Sequence, residues 1–89
     1  MSRLCSSLKQ NENVVFMHYS DIYKKKIPMD GNVISVQKNH KCVAVCYLEG
    51  YRSISTSIPY KDMLAVYDKN GKHMKFENIS GPSQKLIHI

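Results

Sequence analysis

The chain has 89 residues, enough for one domain with a small core and modest stability. Thirteen Lys plus Arg against seven Asp plus Glu give a formal charge of +6, a balance that favours polyanions or acidic protein surfaces as partners. No run approaches the ~18 apolar residues of a membrane-spanning helix, which excludes that class and implies no membrane partner.

Residues 1–12 are polar apart from Leu4 and Leu8, whose spacing permits a turn or two of helix. A helix that short is marginal alone, so a short N-terminal arm or helix docking on the rest is expected, with 13–89 as a single small β domain. Met1 to Ser7 lack the continuous apolar core of a signal peptide, and an intracellular, cytoplasmic protein is expected.

Val14 to Tyr19 read as a strand apolar on both faces, broken by Ser20-Asp21. Ile22 to Ile27 are read as a short strand or a loop. Their three adjacent lysines, Lys24 to Lys26, are exposed in either case. Pro28 biases Ile27 toward an extended conformation, and Met29-Asp30-Gly31 reads as a turn. The next strand places Ile34 and Val36 on one face and Val33, Ser35 and Gln37 on the other. Lys38 to Lys41 read as a hairpin loop with Asn39 in the left-handed region. Cys42 to Leu48 set Val43, Val45 and Tyr47 against Cys42, Ala44, Cys46 and Leu48, both faces apolar. Glu49-Gly50 makes a tight connection. In the strand from Arg52, Ile54 and Ile58 alternate with Ser53, Ser55 and Ser57, a core face and a solvent face. Pro59 ends it, and 59–63 suit one turn of 3₁₀ helix. Leu64 to Tyr67 close the stretch. Asn70-Gly71 predicts a type I′ hairpin turn leading to His73–Glu77, where Met74 and Phe76 share a face. After Gly81-Pro82, Gln84 to Ile89 add an apolar edge strand, through which a homodimer is a further expectation.

The carrying residues of a resemblance lie between Asp30 and Asp68: Gly31-Asn32-Val33, Ile34/Val36, Val43-Val45-Tyr47, Gly50, and Ile58-Pro59 followed by Leu64 and Val66-Tyr67. This stretch resembles the SH3-like small β-barrel superfamily in the broad sense that includes KOW and Tudor modules. The resemblance implies a mainly β fold: a small barrel of about five strands, three of them meandering, then a 3₁₀ turn and a short last strand. To this the chain adds the C-terminal hairpin or edge strand. The glycine of a KOW hairpin is replaced by Lys38-Asn39-His40-Lys41, and the tryptophan and acidic loop of proline-peptide SH3 grooves are absent. Lysine-rich small barrels of this kind also resemble small regulatory proteins of bacteria and their phages.

Cys42 and Cys46 are about 13 Å apart on a strand, too far to share a zinc or a disulfide. They read as small apolar strand residues, and no metal or cofactor is expected. The aspartates Asp21, Asp30, Asp62 and Asp68 fall at predicted turns, where they bond local backbone. The histidines are scattered. No phosphate loop or activated nucleophile is present, so a non-catalytic protein is expected. The remaining signal is basic residues beside aromatics: Tyr23 before Lys24, Lys25 and Lys26; Lys38, His40 and Lys41 in one loop; Tyr51 before Arg52; Tyr60 before Lys61. Cations hold phosphates and aromatics stack on bases. Eleven of the thirteen basic residues are Lys, which favours phosphate contacts over base reading. The chain is therefore read as a basic module binding DNA or RNA. The alternative is a regulator or inhibitor docking on an acidic protein surface of a larger machine such as a polymerase or nuclease.

Overall fold

A computed structural model describes residues 3–76. They form one antiparallel sheet of six strands in the order β4-β3-β2-β1-β5-β6. The strands are β1 (Asn13–Ser20), β2 (Lys25–Gln37), β3 (Cys42–Glu49), β4 (Arg52–Pro59), β5 (Met63–Tyr67) and β6 (His73–Lys75). The mainly β expectation holds. The described residues supply six strands, where the sequence predicts about five and an added C-terminal hairpin or edge strand, and among them the sheet does not close into a barrel: its ladder ends at β4 on one side and β6 on the other. The edge strand expected at Gln84–Ile89 and the turn at Gly81-Pro82 lie outside the described residues.

The core is assembled on one face of the sheet from Val14, Phe16, Val33, Val43, Val45, Tyr47, Ile58, Met63 and Val66, all buried. The alternation expected of β3 and β4 holds. Val43, Val45 and Tyr47 point inward, as do Ile58 and the half-buried Ile54. The N-terminal segment adds Cys5 and Leu8 to this core, from a 3₁₀ turn at Cys5–Ser7. Leu4 stays exposed.

Several local expectations are overturned. Met29-Asp30-Gly31 make no turn; β2 runs unbroken from Lys25 to Gln37 and pairs with β1 from Lys25 to Asn32. Asp30 is accordingly a strand residue. Gly31 serves close approach instead. A Cβ there would lie 2.6 Å from the Cys46 carbonyl oxygen and 2.9 Å from the Phe16 ring. Pro28 is tolerated because pairing with β3 begins only at Asn32, so this stretch of β2 has a ladder partner on one side alone. Ile34 does not share the core face with Val36. The register shifts between Val33 and Ser35, and the extra residue of this bulge is Ile34, turned outward while Val33 is buried and Val36 packs against the core. A matching shift in β5 makes Leu64 the extra residue opposite Val15 and Phe16, also exposed.

The turns differ in kind as well. Residues 38–40 form a 3₁₀ turn, and the left-handed residue is Lys41 (φ 51°) rather than Asn39. At the β5–β6 connection only Gly71 has positive φ (81°), so the turn is not type I′. The Gly71 N–H donates to the Asp68 carbonyl at 2.9 Å. Asp68 Oδ1 accepts from the Asn70 and Lys72 N–H groups at 2.8 and 2.9 Å. The aspartate locks a type I turn followed by a left-handed glycine.

Candidate polyanion-binding rim

Three segments meet at one rim. The 3₁₀ turn forms over Tyr60–Asp62. The Tyr60 N–H donates to the Lys41 carbonyl at 2.9 Å, which fastens this turn to the 38–41 loop. From the other side, Lys26 Nζ donates to Asp62 Oδ2 at 3.1 Å, fastening the 3₁₀ turn to the turn end of the β1–β2 hairpin. The structure thus brings Lys26, Lys38, His40, Lys41, Tyr60 and Lys61 onto connected segments, with Tyr23, Lys24 and Lys25 continuing along the same hairpin. Lys25, Lys38, Lys41 and Lys61 are exposed and make no ion pair among the described residues. The acidic residues of these segments are Asp62, with which Lys26 already pairs, and the exposed Asp21 in the β1–β2 turn.

The β1–β2 connection is built locally. The Lys24 N–H donates to the Ser20 carbonyl at 2.8 Å, and the Tyr23 N–H reaches Ser20 Oγ at 3.3 Å. Lys24 takes a left-handed conformation (φ 59°) to close the loop. Ile22 and Tyr23 are left projecting, 70% and 64% exposed.

Tyr51 and Arg52 stand apart from this rim. They occupy the β3–β4 hairpin tip, where Glu49 pairs with Arg52, at the far end of the ladder from the Cys42–Pro59 pair. Tyr51 is fully exposed. Tyr60 is placed differently from Tyr23 and Tyr51. Its ring packs against the core, and its hydroxyl is enclosed with no hydrogen-bond partner among the described residues. Burial raises its pKa, aided by the nearby thiols of Cys5 and Cys42.

The other titratable groups are held in structural settings. His18 sits 5.6 Å from the Tyr47 ring and 6.5 Å from Phe16, ring centre to ring centre. His73 lies against Tyr67 at 4.9 Å. Burial pushes the Cys5 thiol up to about 11. Cys42 Sγ donates to Gln37 Oε1, and Cys46 Sγ meets Ser53 Oγ. Among the described residues no three His, Cys, Asp or Glu side chains converge as a metal site would require, and no helix is long and apolar enough to cross a membrane.

Two of the surface hollows lined by described residues lie away from the rim. One, of about 680 Å³, opens where β2 and β3 part beyond the Asn32–Cys46 pair, with Asp30, Tyr47 and Leu48 on its walls. The other, of about 1050 Å³, lies between Arg3, Glu12, Asp30 and the Asp68–Gly71 turn. Neither includes a residue of the basic rim. No protein-family model, curated protein or solved structure matches the chain.

Proposed function

We propose that the protein is a non-catalytic module that holds nucleic acid through its phosphates at the rim around the Tyr60–Asp62 turn. The observation that carries this reading is the double fastening of that turn. One backbone hydrogen bond and one ion pair gather basic residues from three separate segments. Fixed cations neutralise phosphates without reading sequence, and the exposed Tyr23 offers a ring for stacking beside them. The strand order β4-β3-β2-β1-β5, with a 3₁₀ turn between β4 and β5, supports the SH3-like small-barrel reading of the same region.

The test is fluorescence anisotropy of labelled single- and double-stranded DNA and RNA across a salt series. Neutralising about four phosphates gives a log–log salt slope near −3 to −4. Replacing Lys25, Lys38 and Lys61 together with Glu removes most of that slope and weakens binding at low salt. Lys26 is left intact because it secures Asp62. Salt-independent binding, or full binding by the triple variant, would sink the reading.

A second reading is supported by the apolar side chains that project beside the lysines. Ile22 and Tyr23 next to Lys24–Lys26 suit an acidic protein surface with an apolar pocket. Absence of nucleic-acid binding at low salt, with loss of a captured partner on Ile22→Asp, selects it.

A further inference from the structure

We propose that the edge of β4 that no described strand pairs with is a self-association surface whose partner is a second copy of this chain, joined antiparallel about Thr56. β4 ends the sheet and pairs only with β3 among the described strands. Its pairing with β3 runs from Glu49–Arg52 to Cys42–Pro59 without a register shift. Natural edges are commonly blunted by charged side chains, lysine above all, by proline, by bulges or by extreme shortness. β4 has eight residues, no lysine and no bulge, and its blunting residues, Arg52 and Pro59, stand at its two ends and leave Ser53–Ile58 open. The opposite edge, β6, is three residues long and carries Lys75.

The groups that β4 offers outward follow from one hydrogen bond. Tyr60 N–H donates to Lys41 C=O, one residue beyond the Cys42–Pro59 pair on each strand. That pair is therefore a non-hydrogen-bonded one, and the antiparallel alternation fixes the rest. Arg52, Ile54, Thr56 and Ile58 direct their backbone groups to β3. Ser53, Ser55 and Ser57 direct N–H and C=O to the free edge, where Pro59 presents only its carbonyl and has no N–H to leave unpaired.

The side chains are self-complementary under a two-fold axis through Thr56. Such an axis sets Thr56 opposite its own copy, Ile54 opposite Ile58, Ser55 opposite Ser57 and Ser53 opposite Pro59. Ile54 and Ile58 lie on the core side of the sheet, while the serines are exposed on the other. Each residue thus meets one from its own side, as antiparallel pairing demands, and Thr–Thr and aliphatic pairs are favourable across strands. Arg52 falls outside this register. Centring on Ser55 instead puts Arg52 opposite Ile58 and Ile54 opposite Thr56. The result is an isologous interface that joins two six-stranded sheets into one.

Salt separates this association from phosphate binding. Two copies of a +6 chain repel each other, so screening strengthens the dimer, whereas it weakens nucleic-acid binding. The test is sedimentation equilibrium of the full chain at roughly 100 μM protein and about 50 and 300 mM salt. The expected result is a species of twice the 10.2 kDa chain mass, more populated at the higher salt. Thr56→Lys sets two cations face to face on the axis and weakens association about 5-fold. Thr56→Cys checks the register without risking the fold. Cα atoms of a non-hydrogen-bonded pair lie ~4.5 Å apart, within disulfide range. Oxidised glutathione therefore links the variant into a covalent dimer, while the wild type, with Cys5, Cys42 and Cys46, stays unlinked. A monomeric wild type, a dimer that Thr56→Lys leaves intact, or a Thr56→Cys chain that does not crosslink beyond wild type each overturns the proposal.

Discussion

The two hairpins of this small sheet solve the same packing problem in different ways. In β3–β4, eight residues face eight without interruption, and alternation alone carries Val43, Val45, Tyr47, Ile54 and Ile58 to the core. In β1–β2, the long strand changes partners along its length, from β1 at Lys25–Asn32 to β3 at Asn32–Gln37. It does so with a buried glycine followed by a bulge. Alternation alone suffices for a strand that keeps its neighbours. A strand that must bend from one neighbour to the next needs a position without a side chain and a residue to spare. Pairing with β3 begins only at Asn32, so the Lys25–Gly31 stretch is free of β3, and Lys26, at the turn end of the hairpin, reaches across to Asp62 at the basic rim.

The sharpest way to break this comparison is Gly31→Ala. Its Cβ would meet a backbone carbonyl at 2.6 Å and the buried Phe16 ring at 2.9 Å, and neither is the yielding end of a flexible side chain. The expected cost is about 3 kcal/mol, the upper part of the overpacking range. Gly50→Ala at the tip of the regular hairpin meets nothing within 4 Å but needs φ +63°. It costs only about 1 kcal/mol, through backbone conformation. Urea unfolding of both variants reads the difference. Equal costs would mean that β2 does not close on β3 at Gly31.

The bulge is tested next by the pair Val33→Ala and Ile34→Ala. Val33 is buried, and its truncation costs roughly 2 kcal/mol. Ile34 is 40% exposed, and its loss costs under about 0.5 kcal/mol. Strict alternation with Ile34 and Val36 inward predicts the reverse order. Denaturant midpoints with unchanged slopes distinguish the two arrangements.

These same positions mark how far the sequence could be read. The Val43/Val45/Tyr47 face, the Ile54/Ile58 face and the 3₁₀ turn near Pro59 follow from local pattern, because each is decided by residues adjacent in the chain. The bulges at Ile34 and Leu64 carry no local signal. An apolar residue in an apolar run looks the same whether it points in or out, and the register shift is set by the neighbouring strand. Asp30-Gly31 has turn chemistry, yet the glycine is needed for close approach to Cys46. At Asn70-Gly71 the turn was legible but its type was not, since Asp68 two residues earlier supplies the acceptor that selects type I. At the rim, the lysine runs were visible while their joining was not. Lys26 and Asp62 are 36 positions apart. Tyr60 reads as exposed beside Lys61 until the core encloses its hydroxyl.

The smallest effect concerns the segment that precedes β1 and continues its ladder. Asn11 N–H donates to the Val33 carbonyl and Val33 N–H to the Glu12 carbonyl, at 2.8 and 2.9 Å, so this segment pairs with β2 beside the bulge. Glu12 is gripped by Arg3, with Nη2 donating to Oε1 at 2.6 Å and Nη1 to Oε2, and the Lys9 N–H donates to Oε1 at 2.7 Å. The Arg3 hydrogen bonds, with the Lys9 N–H in support, hold the Glu12 carboxyl below its usual range. A depressed carboxylate pKa contributes stability that is fully present above the unfolded value and is lost as pH falls through the folded one. Glu12→Gln should therefore cost about 1 kcal/mol at pH 7, given the part-buried forked geometry, and cost progressively less as the pH drops below the ordinary Glu range near ~4.3. Thermal melts of both proteins between about pH 3 and 7 measure this. If the gap between them stays constant over that range, Glu12 matters for its shape and not its charge, and the N-terminal segment is held on β2 by its backbone bonds and by Cys5 and Leu8 in the core.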